Sequence, residues 1–177
     1  MRGNKYQMHK ILVLFLGSFM LFSCKEKPKE TDEVTDSSIK IATLNYEELK
    51  PLLHKNDDKT YVINFWATWC MPCVKELPAF EKLNAAYKDK NVEVVLVSLD
   101  FPKQKESNLI PFVKKRKLES KVLHFDDANE QFWIPDISEN WSGSIPATLI
   151  YNKEKRKFYE QSFSYEELQN ELQTFLN

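Results

Sequence analysis

Glycine is scarce in this chain: three in 177 residues, of which Gly3 and Gly17 lie near the amino terminus. Only Gly143 remains in the body, so most turns must rely on Asn, Asp and Pro. Cysteine is as sparse, at Cys24, Cys70 and Cys73. Without a second cysteine pair or a His-x-His cluster, a four-ligand zinc site is excluded. His54 and His124 stand apart from each other and read as surface residues. Val74 follows Cys73 where c-type haem attachment needs a histidine. No basic block in the body offers a nucleic-acid surface, and the net charge is −1.

What is present suits a packed domain: 42% hydrophobic and 13% aromatic residues in a length that fits one domain. The amino terminus reads as an export signal. Arg2, Lys5 and Lys10 precede an uncharged apolar run, Ile11–Ser23. That run falls short of the roughly 20 residues of a spanning helix, the competing reading. Leu21-Phe22-Ser23-Cys24 resembles the lipobox of bacterial lipoproteins, although Phe22 is bulkier than that pattern prefers. The resemblance implies a lipid on Cys24; an ordinary secretory signal with a spare thiol is the alternative. Acyl chains there would anchor the protein at about 0.8 kcal/mol per buried CH₂. Residues 1–23 are then signal peptide, and the mature chain carries a net charge of −4. The remainder of residues 24–38 has a single aliphatic residue, Val34, and reads as a flexible tether.

From Ile39 to Asn177 extended and helical patterns alternate. Ile39–Thr43 is a short strand candidate, and Asn45-Tyr46-Glu47-Glu48 is a capping box opening a helix toward His54. Thr60–Trp66 reads as a strand rich in β-branched and aromatic residues. A helix follows with Val74, Leu77, Phe80, Leu83 and Tyr87 on one face and Pro78 as a kink. Val92–Leu99 is a strand covered on both faces. Next come a helix over Lys105–Lys117, a strand at Val122–Phe125 and a helical turn at Asp127–Phe132. Ala147–Tyr151 and Lys157–Phe163 form a hairpin, and Ser164 caps a last helix with Tyr165, Leu168, Leu172 and Leu176 aligned. This order predicts an α/β domain with a central mixed sheet and helices on both faces.

The chemistry concentrates at Cys70-Met71-Pro72-Cys73, where the second strand runs into the kinked helix. Unpaired N–H groups and the positive end of the helix dipole favour thiolate at Cys70, within a range of roughly 3.5 to 7.5 for such cysteines. Cys73 lies one turn on and can close a disulfide, with Pro72 tolerated in the first turn. A purely structural disulfide is the alternative, although so small a loop constrains little of the unfolded chain.

Residues 62–78, VINFWATWCMPCVKELP, resemble the active-site stretch of TlpA/ResA-type proteins, membrane-tethered thiol–disulfide oxidoreductases of thioredoxin fold. The resemblance covers Ile39–Asn177 and implies a thioredoxin-like domain there. It implies Cys70 as nucleophile, Cys73 as resolving thiol and Glu76 as a base for the Cys73 proton. A solvated helix glutamate is the other reading of Glu76. Asn64 stands where thioredoxin keeps a buried aspartate. Ser144-Ile145-Pro146-Ala147-Thr148 matches the loop whose proline is cis, with Ile145 presented to substrate; an ordinary trans proline is the alternative. Trp69, Met71 and Pro72 complete the implied substrate surface. Trp133, Pro135 and Trp141 form an aromatic cluster before that loop, suited to core packing or to recognition.

The implied activity is disulfide exchange with exported proteins, in the reducing direction, through the Cys70–Cys73 pair, with no cofactor, metal or nucleic acid. Electrons would come from a membrane relay protein, and the lipid on Cys24 would hold the domain in the cell envelope, in the periplasm. A thiol peroxidase, which shares the fold, needs Thr or Ser three residues before its cysteine, where this chain has Ala67. A non-catalytic lipoprotein that binds partners or copper is the rival of another class.

Overall fold

A computed structural model describes residues 39–176. The signal peptide, Cys24 and the tether inferred from sequence lie outside the described residues. Among the described residues no helix is long and apolar enough to cross a membrane.

Six strands form one sheet in the order β1-β4-β3-β2-β5-β6. They are β1 (Thr43–Leu44), β2 (Thr60–Trp66), β3 (Val92–Ser98), β4 (Lys121–Phe125), β5 (Ala147–Tyr151) and β6 (Arg156–Tyr159). β1, β4, β3 and β2 run parallel, and β5 and β6 are antiparallel. All seven β2 residues are buried, as a central strand covered on both faces requires. The period-two alternation then divides the core. Val62 and Trp66 face α2 (Met71–Tyr87) and α5 (Tyr165–Leu176), with Phe80, Leu83, Leu168 and Leu172. Tyr61, Ile63 and Phe65 face the other side, where α1 (Tyr46–Leu49) and α4 (Glu130–Ile137) contribute Tyr46, Leu49 and Trp133.

Local chemistry explains most boundaries. Asn45 and Glu48 exchange side-chain and backbone hydrogen bonds at 3.0 and 2.9 Å, a capping box. Pro51, with no N–H to give, tightens the continuation into a 3-10 turn over Lys50–His54. Replacing Asn45 with alanine is expected to lower stability by about 1 kcal/mol, measured by urea denaturation. Ser164 and Glu167 repeat the box at α5, at 2.8 and 3.3 Å. α2 runs unbroken through Pro78.

Several sequence expectations change. β1 is only two residues long, and β6 ends at Tyr159 rather than Phe163. Beyond it the Phe163 N–H turns to Glu76 instead of a neighbouring strand. A π-helical turn over Lys105–Leu109 precedes α3 (Ile110–Arg116), whose second residue is Pro111. α4 extends the anticipated turn at Asp127–Phe132 to eight residues and encloses Pro135. On α5, Phe175 is buried and Leu176 is 38% exposed, so the buried face falls one residue early. His124 is not on the surface: it is 1% exposed, with Nε2 donating to the Asp100 carbonyl at 2.8 Å and Nδ1 3.1 Å from the Thr43 hydroxyl. Parallel pairing with β1 and β3 on either side encloses it.

Candidate active site at Cys70 and Cys73

Cys70 closes the turn that leaves β2 and is the N-cap of α2. Its sulfur accepts the Cys73 N–H at 3.3 Å, one of the amides a helix start leaves unpaired. Cys70 and Cys73 form a disulfide. Cys70 is 6% exposed and Cys73 fully buried, so of the pair only Cys70 has any exposed surface. Around them Trp69, Met71 and Pro72 are exposed, Trp69 by 50% and Met71 by 62%.

The peptide bond between Ile145 and Pro146 is cis. It places the Ile145 carbonyl oxygen 3.7 Å from Cys70 Sγ, with Ile145 half-buried and Pro146 buried. Two features hold this loop. Trp141 Nε1 donates to the Ser144 carbonyl at 2.8 Å. Gly143 has φ +91, and a Cβ there would lie 3.1 Å from Ile134 Cδ1. Trp133 and Trp141 pack with ring centroids 5.5 Å apart and are each 5% exposed, so the aromatic cluster before the loop is chiefly core.

Glu76 is 4% exposed and is not a solvated helix glutamate. One carboxylate oxygen accepts from Asn64 Nδ2 at 2.9 Å, and the other accepts the Phe163 N–H at 2.8 Å. Burial pushes its pKa up to about 7, against those two hydrogen bonds, which lower it. No hydrogen bond joins it to either sulfur in this oxidised form. Asn64 shares the face of β2 that carries Val62 and Trp66, two residues from each, which turns it toward α2, and it pairs in register with Thr148 of β5. Its Nδ2 also lies 3.2 Å from Thr148 Oγ1. Its Oδ1 is buried with no partner. The position where thioredoxin keeps an acid is therefore wired to an acid twelve residues on, through an amide.

Sequence reasoning missed Asp100, which follows β3 and is 1% exposed. Its carboxylate accepts from the Thr68 backbone at 3.1 Å, the Thr68 hydroxyl and the Ser98 hydroxyl at 2.8 Å. It thereby ties the loop before Cys70 to the loop after β3. The next residue, Phe101, is 62% exposed and stacks on Trp69 at 6.0 Å. The available signal was its place after a buried parallel strand, since sites in such sheets gather at the carboxyl ends of strands. Among the described residues no group of three His, Cys, Asp or Glu is placed to hold a metal.

Comparison with known proteins bears on this arrangement. Residues 31–156 match the AhpC/TSA family. The thiol-disulfide oxidoreductase ResA of Oceanobacillus iheyensis is 31% identical over 106 residues, covering 56% of this chain and 55% of that protein. The match thus spans little more than half of that relative. The thioredoxin-like protein YneN of Bacillus subtilis is 37% identical over 119 residues, covering 64% of this chain and 67% of its own. Among solved structures, the thioredoxin-related protein from Neisseria meningitidis serogroup B has a TM-score of 0.57 at 25% identity. That likeness covers 68% of this chain and 86% of the other. A thioredoxin-type sheet, a disulfide at the start of α2 and a family match across most of its length have one reading: the chain belongs to the AhpC/TSA family of thioredoxin-like proteins.

Proposed function

We propose that this protein is a thiol–disulfide oxidoreductase that reduces disulfides of exported proteins. The observation that carries the reading is the Cys70–Cys73 disulfide at the start of α2, with Cys70 reachable and Cys73 enclosed.

In the reduced protein, the helix start and the Cys73 N–H stabilise negative charge on Cys70 Sγ. That thiolate attacks one sulfur of a substrate disulfide. A bond from Cys70 to the substrate forms, the substrate S–S bond breaks, and the first substrate sulfur leaves as thiolate. Cys73 then loses its proton, with Glu76 as the acceptor, and attacks Cys70 Sγ. The second substrate thiolate leaves, the protein disulfide is restored, and two electrons have passed to the substrate. Glu76 suits the role because its pKa of about 7 lets it hold or release a proton near neutrality. Trp69, Met71, Pro72, Ile145 and Pro146 form the substrate surface, with the Ile145 carbonyl 3.7 Å from the reacting sulfur. Renewed reduction falls to a membrane protein that relays electrons. The lipid on Cys24 and the following tether would keep the domain at the envelope membrane.

The direction is tested by equilibrating the protein with glutathione buffers and reading its redox state by alkylation. The expected midpoint is far more reducing than about −120 mV; a value near that end of the scale makes the protein an oxidase.

A further inference from the structure

A cleft of about 500 Å³ opens beside the disulfide and runs from Trp69 and Ile145 to the start of α4. Its near wall is apolar. Trp69 and Phe101 stack at an interplanar angle of 18°, both largely exposed, and Trp133 and Ile134 continue the wall. Its charged lining is acidic throughout: Asp100, Asp126, Asp127 and Glu130 line it, and no lysine, arginine or histidine does. Two of these acids are already engaged. Asp100 is held by Thr68 and Ser98, and Asp127 accepts the backbone N–H groups of Tyr46 and Asn129 at 3.0 and 2.9 Å. The carboxylates of Asp126 and Glu130 are exposed and have no partner among the described residues.

Resting on the oxidoreductase reading, we propose that this cleft selects substrates in which a lysine or arginine lies a few residues from the disulfide cysteine. Ile145 lines the cleft and its carbonyl oxygen lies 3.7 Å from Cys70 Sγ, so a chain joined to that sulfur has the cleft within reach. The aliphatic stem of a long cationic side chain lies along Trp69 and Phe101, and its charge reaches Asp126 and Glu130. A short or acidic side chain satisfies neither wall. Partly enclosed charge lined by one sign raises the encounter rate of the opposite sign by about 10-fold or more at low salt.

The test uses the full-length reduced chain and three peptides, each joined through one cysteine to thionitrobenzoate, with lysine, alanine or glutamate two residues from that cysteine. Each release rate is divided by the rate with dithiothreitol, which removes the intrinsic reactivity of the peptide. The expected lysine-to-glutamate ratio is at least about 10 at low ionic strength, and it falls toward unity in concentrated salt. In an Asp126→Asn, Glu130→Gln protein the ratio drops below about 3. Because the ratio compares two substrates on one preparation, partial misfolding of the variant cancels. Fast reaction with all three peptides at equal rates overturns the selectivity and leaves the oxidoreductase reading standing. Failure to react with any peptide faster than dithiothreitol overturns both.

Discussion

A Cys70→Ser protein is expected to reduce disulfide substrates no faster than the uncatalysed mixture, a loss of at least about 10³-fold. The reason lies in the unequal burial of the two sulfurs. Cys73 has no exposed surface, so once Cys70 is gone no thiol among the described residues is left where a substrate can reach it. A serine hydroxyl at the start of α2 cannot replace it, because disulfide exchange requires an ionised sulfur. The complementary Cys73→Ser protein should stall after the first attack and accumulate covalent complexes through Cys70. Non-reducing electrophoresis separates these complexes, and mass spectrometry of the retained partners names the substrates. Residual turnover by Cys70→Ser, or equal trapping by both variants, would remove Cys70 from the role of nucleophile.

The second large effect is a pH dependence of stability centred on Glu76. Its carboxyl has a pKa of about 7 in the folded protein, against an ordinary value of 4.5. Between those values the folded chain holds a proton that the unfolded chain has released. Stability then falls as pH rises, is fully retained below about 4.5, and levels off above about 7. A shift of this size corresponds to about 3 kcal/mol. Urea denaturation of the oxidised protein and of Glu76→Gln, taken from pH 4.5 to 8.5, should show the wild type losing about that much relative to the variant. Parallel pH curves would mean that the carboxyl does not carry the shift. Asn64→Asp should move the midpoint higher still, since a second carboxylate would face the first across the 2.9 Å contact.

How legible all this was depends on the range over which each feature is decided. The capping boxes at Asn45 and Ser164, the strand Thr60–Trp66 and the cysteine pair at a helix start rest on neighbours within a few residues, and each formed where local chemistry placed it. The mixed sheet with helices on both faces followed from element order, and the structure has that architecture. The environment of Glu76 was not readable, because it depends on Asn64 of β2 and on Phe163, 87 residues away. His124 was misplaced for the same reason: a histidine in a short strand looks exposed until strands pair on both its sides. The cleft is assembled from the ends of β3, β4 and the Gly143 loop, which no window of sequence brings together. Phe175 replaced Leu176 because one residue of helix phase decides which large side chain turns inward, and both fit the apolar pattern.

The anchoring of Thr68 and Ser98 by Asp100 has a practical corollary. Because one carboxylate holds both Thr68 and Ser98, the loops that carry Trp69 and Phe101 are fastened by hydrogen bonds that neither ring makes. Phe101 and Trp69 can therefore be exchanged for other side chains with those hydrogen bonds left in place, much as a tool head is changed on a fixed shaft. A library confined to those two positions would reprogramme which proteins are served while leaving the sulfur chemistry as it is.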